Sequence, residues 1–129
     1  MFPIEEKRQA IEETVRTNQV VIINGLAGCG KTTLLPPFLL AKGAGSERWI
    51  GVTEPRRIAA VSAAVRVAHI LDCELGETVG FRTRFESKLR QTRGIKYMTD
   101  GILKAEVMND PLFEQYQVLV LDEIHEQRK

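Results

Sequence analysis

The feature that constrains this chain most is Gly25-Leu26-Ala27-Gly28-Cys29-Gly30-Lys31-Thr32, which fits the pattern G-x-x-x-x-G-K-[ST] in full. At average residue usage, a chance match somewhere in a chain of this length has a frequency of about half a percent. The pattern specifies a loop whose glycines turn tightly and aim backbone N–H groups at phosphate oxygens. Gly25, Gly28, Cys29 and Gly30 supply that backbone, and the N-terminus of the following helix adds partial positive charge. Lys31 is placed to reach the β- and γ-phosphates of a nucleotide, and the Thr32 hydroxyl to ligate Mg²⁺. Thr33 follows in the same turn and joins the nucleotide-binding set. The context agrees: Val20-Val21-Ile22-Ile23 is a β-branched run ending in Asn24-Gly25, which reads as a buried strand, and a helix is expected from about Gly30.

A phosphate loop needs a carboxylate to hold the metal and another to handle the attacking water. Val118-Leu119-Val120-Leu121-Asp122-Glu123 offers both at the exit of an apolar run, expected to be a central strand. Asp122 is assigned to Mg²⁺ opposite Thr32, and Glu123 to orienting or deprotonating the water. Lys31, Asp122 and Glu123 are thus the candidate catalytic set. Adjacent Asp-Glu fits ATP hydrolysis, and the absence of an Asn-Lys-x-Asp guanine-reading motif argues against a GTPase.

The rest of the chain fits one α/β domain. Its 129 residues are 43% hydrophobic and 27% charged, an ordinary globular balance. Short apolar runs alternate with helical patterns, the signature of a parallel sheet. Ile4, Arg8, Ile11 and Val15 recur at helical spacing. Pro36 and Pro37 are expected to kink or stop the helix after the phosphate loop. Trp49 to Thr53 and Ile95 to Met98 read as strands. Pro55 suits the first turn of a helix presenting Ile58, Val61, Val65 and Ala68 on one face. Val79, Phe81, Thr83 and Phe85 alternate with polar residues or glycine, as in a half-buried strand. Cys29 and Cys73 match neither a disulfide framework nor zinc spacing. No run is apolar enough to cross a bilayer, and Met1 to Arg8 do not resemble a signal peptide, so no membrane association is expected and the location is read as cytoplasmic or nuclear.

The formal net charge is +1, so nucleic-acid binding must come from a local patch. Arg56 and Arg57 open a predicted helix, where the helix dipole disfavours cations and a bound phosphate would remove the conflict. Pairing of either arginine with Glu54 is the alternative. From Arg82 to Lys96 there are six basic residues (Arg82, Arg84, Lys88, Arg90, Arg93, Lys96) against one acid, Glu86. Such a cluster binds phosphates by counterion release, or is simply a solvated hairpin. No aromatic ladder interleaves it, so contacts to the backbone are expected rather than base stacking.

Four stretches in order resemble the DEAH-box RNA helicases. Asp122-Glu123-Ile124-His125 is similar to the motif that names that family, in its DEIH variant. Thr53-Glu54-Pro55-Arg56-Arg57-Ile58-Ala59-Ala60 resembles T-Q-P-R-R-V-A-A, and Thr99-Asp100-Gly101-Ile102-Leu103 resembles T-D-G-M-L. Val79-Gly80-Phe81 through Arg84-Phe85-Glu86 is similar to V-G-Y-x-x-R-F-E. The resemblance runs essentially from end to end, and Pro3-Ile4, Arg8 and Asn18-Gln19-Val20 join it. It departs at Leu26-Ala27 (usually Glu-Thr), Cys29 (usually Ser), Glu54 (usually Gln) and Gln127 (usually Arg).

The resemblance implies a P-loop NTPase with a RecA-like parallel sheet flanked by helices. Residues 1–129 are then the first, ATP-binding RecA-like domain of an ATP-dependent RNA helicase. It implies that Arg66 stacks on the nucleotide base, that Arg56, Arg57, Arg84 and Thr99 contact the backbone of single-stranded RNA, and that His125 couples hydrolysis to a partner domain. Because the sequence ends soon after the DEIH motif, the domain reads as C-terminally incomplete. The second RecA-like domain, which brings transition-state arginines, is then missing, and the chain alone is expected to bind ATP or another NTP with Mg²⁺ but to hydrolyse it slowly or not at all. Two other readings compete: a non-catalytic nucleotide- and RNA-binding module, and an unrelated P-loop ATPase.

Overall fold

The computed structural model of the chain describes residues 20–25 and 33–122. They form strand β1 (Val21–Gly25), helix α1 (Leu35–Ala41), β2 (Trp49–Glu54), α2 (Arg57–Ile70), β3 (Val79–Arg82), β4 (Ser87–Lys88), β5 (Gly94–Thr99), α3 (Asp100–Val107) and β6 (Tyr116–Asp122). The strands make one sheet in the order β1-β6-β2-β5-β3-β4. Every pairing is parallel except the short β3–β4 hairpin. This is the expected α/β architecture. The sequence helix around Ile4 to Val15 and the start of a helix near Gly30 lie outside the described residues.

Alternation along the inner strands divides the core. Ile50, Val52, Ile95, Tyr97, Val118 and Val120 face α1 and α2. Trp49, Met98, Tyr116 and Leu119 face the other way, against Ile102 and Leu103 of α3. β2 lies between β6 and β5 and is buried along its whole length, as a strand covered on both faces must be. The register slips once: Trp49 pairs with Tyr116, but Ile50 pairs with Val118. The extra residue, Gln117, turns Tyr116 onto the α3 face beside Trp49. Gly51 makes room there, because a Cβ at Gly51 would lie 2.6 Å from the Tyr116 ring.

Four sequence expectations are revised. Pro36 and Pro37 stand in the first turn of α1, where their lack of N–H costs nothing, and so begin a helix rather than end one. On α2 the sheet-facing stripe is Ala60, Ala63, Ala64, Val67 and Ala68, whereas Ile58 is 74% exposed and Val65 is also outward. Both stripes are apolar, so periodicity could not choose; alanines allow the closer approach to the sheet. β1 pairs only with β6 and is the sheet edge among the described residues, leaving Ile22 exposed. β3 stops at Arg82, and Phe85 stands out in a turn closed by Thr83 N–H donating to Glu86 O (2.8 Å).

Candidate nucleotide and nucleic-acid site

In open parallel sheets, ligands bind beyond the carboxyl ends of the strands where chain connections diverge. Here β1 and β6 are neighbours, and Gly25 pairs in register with Asp122. The first glycine of the phosphate loop and the acid of the DEIH motif therefore leave the sheet side by side, about 4.8 Å apart at strand spacing. Gly28, Cys29, Gly30, Lys31 and Thr32 lie outside the described residues, as do Glu123 and His125. Thr33 is half-buried in the turn before α1. Among the described residues, no group of three or more His, Cys, Asp or Glu could hold a metal. Of the two assigned Mg²⁺ ligands, Asp122 is placed by its strand and Thr32 is outside that set.

The same edge of the sheet carries the other motif residues. Glu54 and Thr99 end β2 and β5 as register partners. Arg56 is the N-cap of α2 and Arg57 its first residue. Both are exposed, no side chain caps the helix and no acid stands in its first turn. Thr99 is the N-cap of α3 and is partly buried. Arg66 is exposed, about 13 Å further along α2 than Arg57 at helical rise.

The turn after β3 joins this edge. Phe85 is 72% exposed, with the Arg57 guanidinium 5.6 Å and the Arg84 guanidinium 5.4 Å from its ring centroid. Each cation–π contact at an exposed site is worth roughly 0.5–1 kcal/mol. The fold thus brings Arg57 and Arg84 to one aromatic ring. Sequence reasoning missed Phe85 because, as the last member of an alternating run, it read as core. Its place between Arg84 and Glu86 was the available signal.

The basic cluster is smaller than its sequence suggests. Lys96 is 2% exposed and points into the sheet–α3 layer, where Nζ donates to Glu106 Oε2 (2.7 Å) and to the Tyr116 hydroxyl (2.8 Å). Burial lowers its pKa, and the bond to Glu106 opposes that shift. Arg82 pairs with Glu106 (3.3 Å), and Arg90 with Glu74 (3.1 Å) and Glu77 (3.3 Å). These acids lie outside the sequence window from Arg82 to Lys96, so only folding reveals the compensation. Arg84, Lys88 and Arg93 remain without an ion pair to a described residue. The Tyr116 hydroxyl donates in turn to Glu106 Oε1, and its pKa is driven up by burial and then by that bond. A cavity of about 260 Å³ opens beside this cluster, lined by Arg82, Ile102, Ala105, Glu106, Asn109 and Gln115.

The parallel sheet and its strand-end motifs define an α/β domain of the RecA-like P-loop NTPase class. No protein-family model matches the chain. Among curated proteins it is 45% identical over 131 residues to ATP-dependent RNA helicase DEAH13 of Arabidopsis thaliana, covering 97% of this chain and 11% of that protein. It is 44% identical over 125 residues to the probable ATP-dependent RNA helicase DHX40 of Homo sapiens, with 97% and 16% covered. To ATP-dependent RNA helicase HrpA of Escherichia coli it is 43% identical over 125 residues, with 97% and 10% covered. Over nearly its whole length the chain is thus related to one stretch of DEAH-box RNA helicases. It spans 10–16% of the length of these relatives. No described helix is long and apolar enough to cross a membrane.

Proposed function

We propose that the chain is the nucleotide-binding domain of an ATP-dependent RNA helicase, the first of two RecA-like domains. The observation that supports this is the register pairing of Gly25 with Asp122, the first residues of the phosphate-loop pattern and of the acidic motif. The relatives named above support an enzyme over a non-catalytic module or an unrelated P-loop ATPase.

In this reading the amides of Gly28, Cys29 and Gly30, with Gly25 and Thr33 at either end, cradle the phosphates, and Lys31 binds the β- and γ-phosphates. Thr32 and Asp122 hold Mg²⁺, which when bound neutralises charge on the phosphate oxygens. Glu123 accepts a proton from the attacking water. Arg66 lies against the base, a contact that tolerates any nucleobase. Arg56, Arg57, Arg84 and Thr99 bind the phosphodiester backbone of single-stranded RNA, which positions the strand without reading sequence. His125 transmits the nucleotide state to a second RecA-like domain, whose arginines complete the transition state, and the protein works in the cytoplasm or nucleus.

The test is ATP turnover by this chain with and without single-stranded RNA, beside Mg-ADP binding, for the parent and Lys31→Ala. The expected result is Mg-ADP binding that Lys31→Ala abolishes, with turnover far below a helicase rate. Undiminished Mg-ADP binding in Lys31→Ala would sink the assignment of the phosphate loop. RNA-stimulated turnover that Lys31→Ala abolishes would place the whole catalytic set in this chain and remove the need for a second domain.

A further inference from the structure

α3 follows Thr99 directly, yet none of its residues is fully buried. Its half-buried residues include Ile102, Leu103 and Glu106, which stand in line with Thr99 at helical spacing. Ile102 and Leu103 pack on Trp49, Met98, Tyr116 and Leu119 without directional contacts. The directional contacts come from Glu106. One carboxylate oxygen accepts from Lys96 on β5 and from Arg82 on β3, and the other accepts from the Tyr116 hydroxyl on β6. Lys96 also donates to that hydroxyl, closing a triangle of three groups with Arg82 at its exposed corner. Apolar packing lets a short helix slide or rotate, whereas three hydrogen bonds to one carboxylate fix both its rotation and its position along the axis.

We propose that Glu106 is a positioning residue: by joining Lys96, Tyr116 and Arg82 it locks α3 to three strands, and so holds Thr99 at the strand-end surface that meets nucleic acid. This rests on the reading of that surface as an RNA-binding edge. The register slip at Gln117 is part of the device, because without it Tyr116 would face the opposite side of the sheet. The nucleotide end is separate, since Gly25 and Asp122 lie on β1 and β6, and the triangle does not touch that strand pair's carboxyl end.

Removing Glu106 alone strands a buried ammonium, which threatens folding. The test therefore replaces both charges, as Lys96→Met with Glu106→Leu, because an apolar pair of similar volume can restore stability. Three quantities are measured: Mg-ADP affinity, affinity for a single-stranded RNA oligonucleotide, and amide hydrogen exchange at Leu103, Lys104 and Ala105. The expected result is unchanged Mg-ADP affinity, RNA binding weaker by about tenfold, and faster exchange in α3. A folded double variant with parental RNA affinity overturns the proposal, because a merely structural cluster would leave the ratio of the two affinities unmoved. Should that variant not fold, Tyr116→Phe decides: it keeps the ion pair and loses the hydroxyl's bonds to Glu106 and from Lys96, so RNA affinity is expected to fall about threefold, and no change overturns the proposal. If the parent chain binds no RNA, the reading of the surface has failed rather than the anchoring. Exchange in α3 then decides whether Glu106 holds the helix, with parental rates counting against it.

Discussion

Gly25 and Asp122 end adjacent parallel strands as register partners, although 97 positions separate them in the sequence. A loop that begins at Gly25 and an acid that stands at Asp122 therefore share one strand-end location, which is what a phosphate–metal site requires. Asp122→Asn is expected to remove most of the Mg²⁺-dependent part of ADP affinity while leaving metal-free binding as it was. Calorimetric titrations with Mg²⁺ and with EDTA check this. Equal Mg²⁺ dependence in parent and variant would count against Asp122 as a metal ligand.

Arg84 and Arg90 look alike in sequence but differ in the fold. Arg84 carries no ion pair to a described residue and stacks on the exposed Phe85, whereas Arg90 is paired with Glu74 and Glu77. Arg84→Ala is expected to lower RNA affinity and to reduce the dependence of log K on log salt by about one. Arg90→Ala should change either quantity little. Binding isotherms across a salt series distinguish the two, and equal losses would mean that the hairpin acts only by its summed charge.

Gly51 is required by packing rather than by backbone conformation. A methyl group there would meet the Tyr116 ring at 2.6 Å and both Leu119 Cδ2 and Met98 Cε at 2.8 Å. Gly51→Ala is expected to destabilise the chain by about 1–3 kcal/mol, the usual range for overpacking. Urea unfolding measures it, and a neutral result would show that the Tyr116 side of the sheet can yield.

Alkaline pH should unfold the chain through its buried phenols. Burial raises the pKa of Tyr97, with the Glu54 charge adding to it; burial, then the bond to Glu106, raises that of Tyr116. Their protonated forms are retained in the folded state but ionise from about 10.0 upward in the unfolded chain, so this stability is full below pH 10 and lost above it. Lys96 works in the opposite direction, because burial lowers its pKa. Its contribution stops changing once the unfolded ammonium has titrated near 10.5. Above that point the opposing contribution of Lys96 fades and the two phenols dominate, giving a loss that approaches about 3 kcal/mol per pH unit. Tyr116→Phe should lower the slope of stability against pH between 10.5 and 11.5 by at least half, and an unchanged slope would show that its hydroxyl is not held protonated.

Patterns that depend on neighbours along the chain are legible in the sequence. The phosphate loop, the apolar approach to Asp122 and the runs at Trp49 to Thr53 and Ile95 to Met98 follow from spacing alone, and each described strand among them forms. Local chemistry misleads wherever two local answers are possible. Ile58 and Ala60 both lie on apolar stripes of α2, and only the distance to the sheet selects the alanines. Pro36 and Pro37 break a helix that precedes them and begin one that follows, and the sequence does not say which is present.

The sequence by itself determined the alternation of strands and helices, the presence of a phosphate-loop pattern and an acidic strand exit, and the order of four motifs. Each of these is fixed by residue type and by the periods of the helix and the strand. Tertiary structure alone decided which charges remain available. Lys96 and Arg90 count as surface cations in the sequence, but Glu106 reaches one from α3 and Glu74 and Glu77 reach the other from the loop before β3. Charge compensation depends on distance in space, and sheet order and a one-residue slip at Gln117 set those distances.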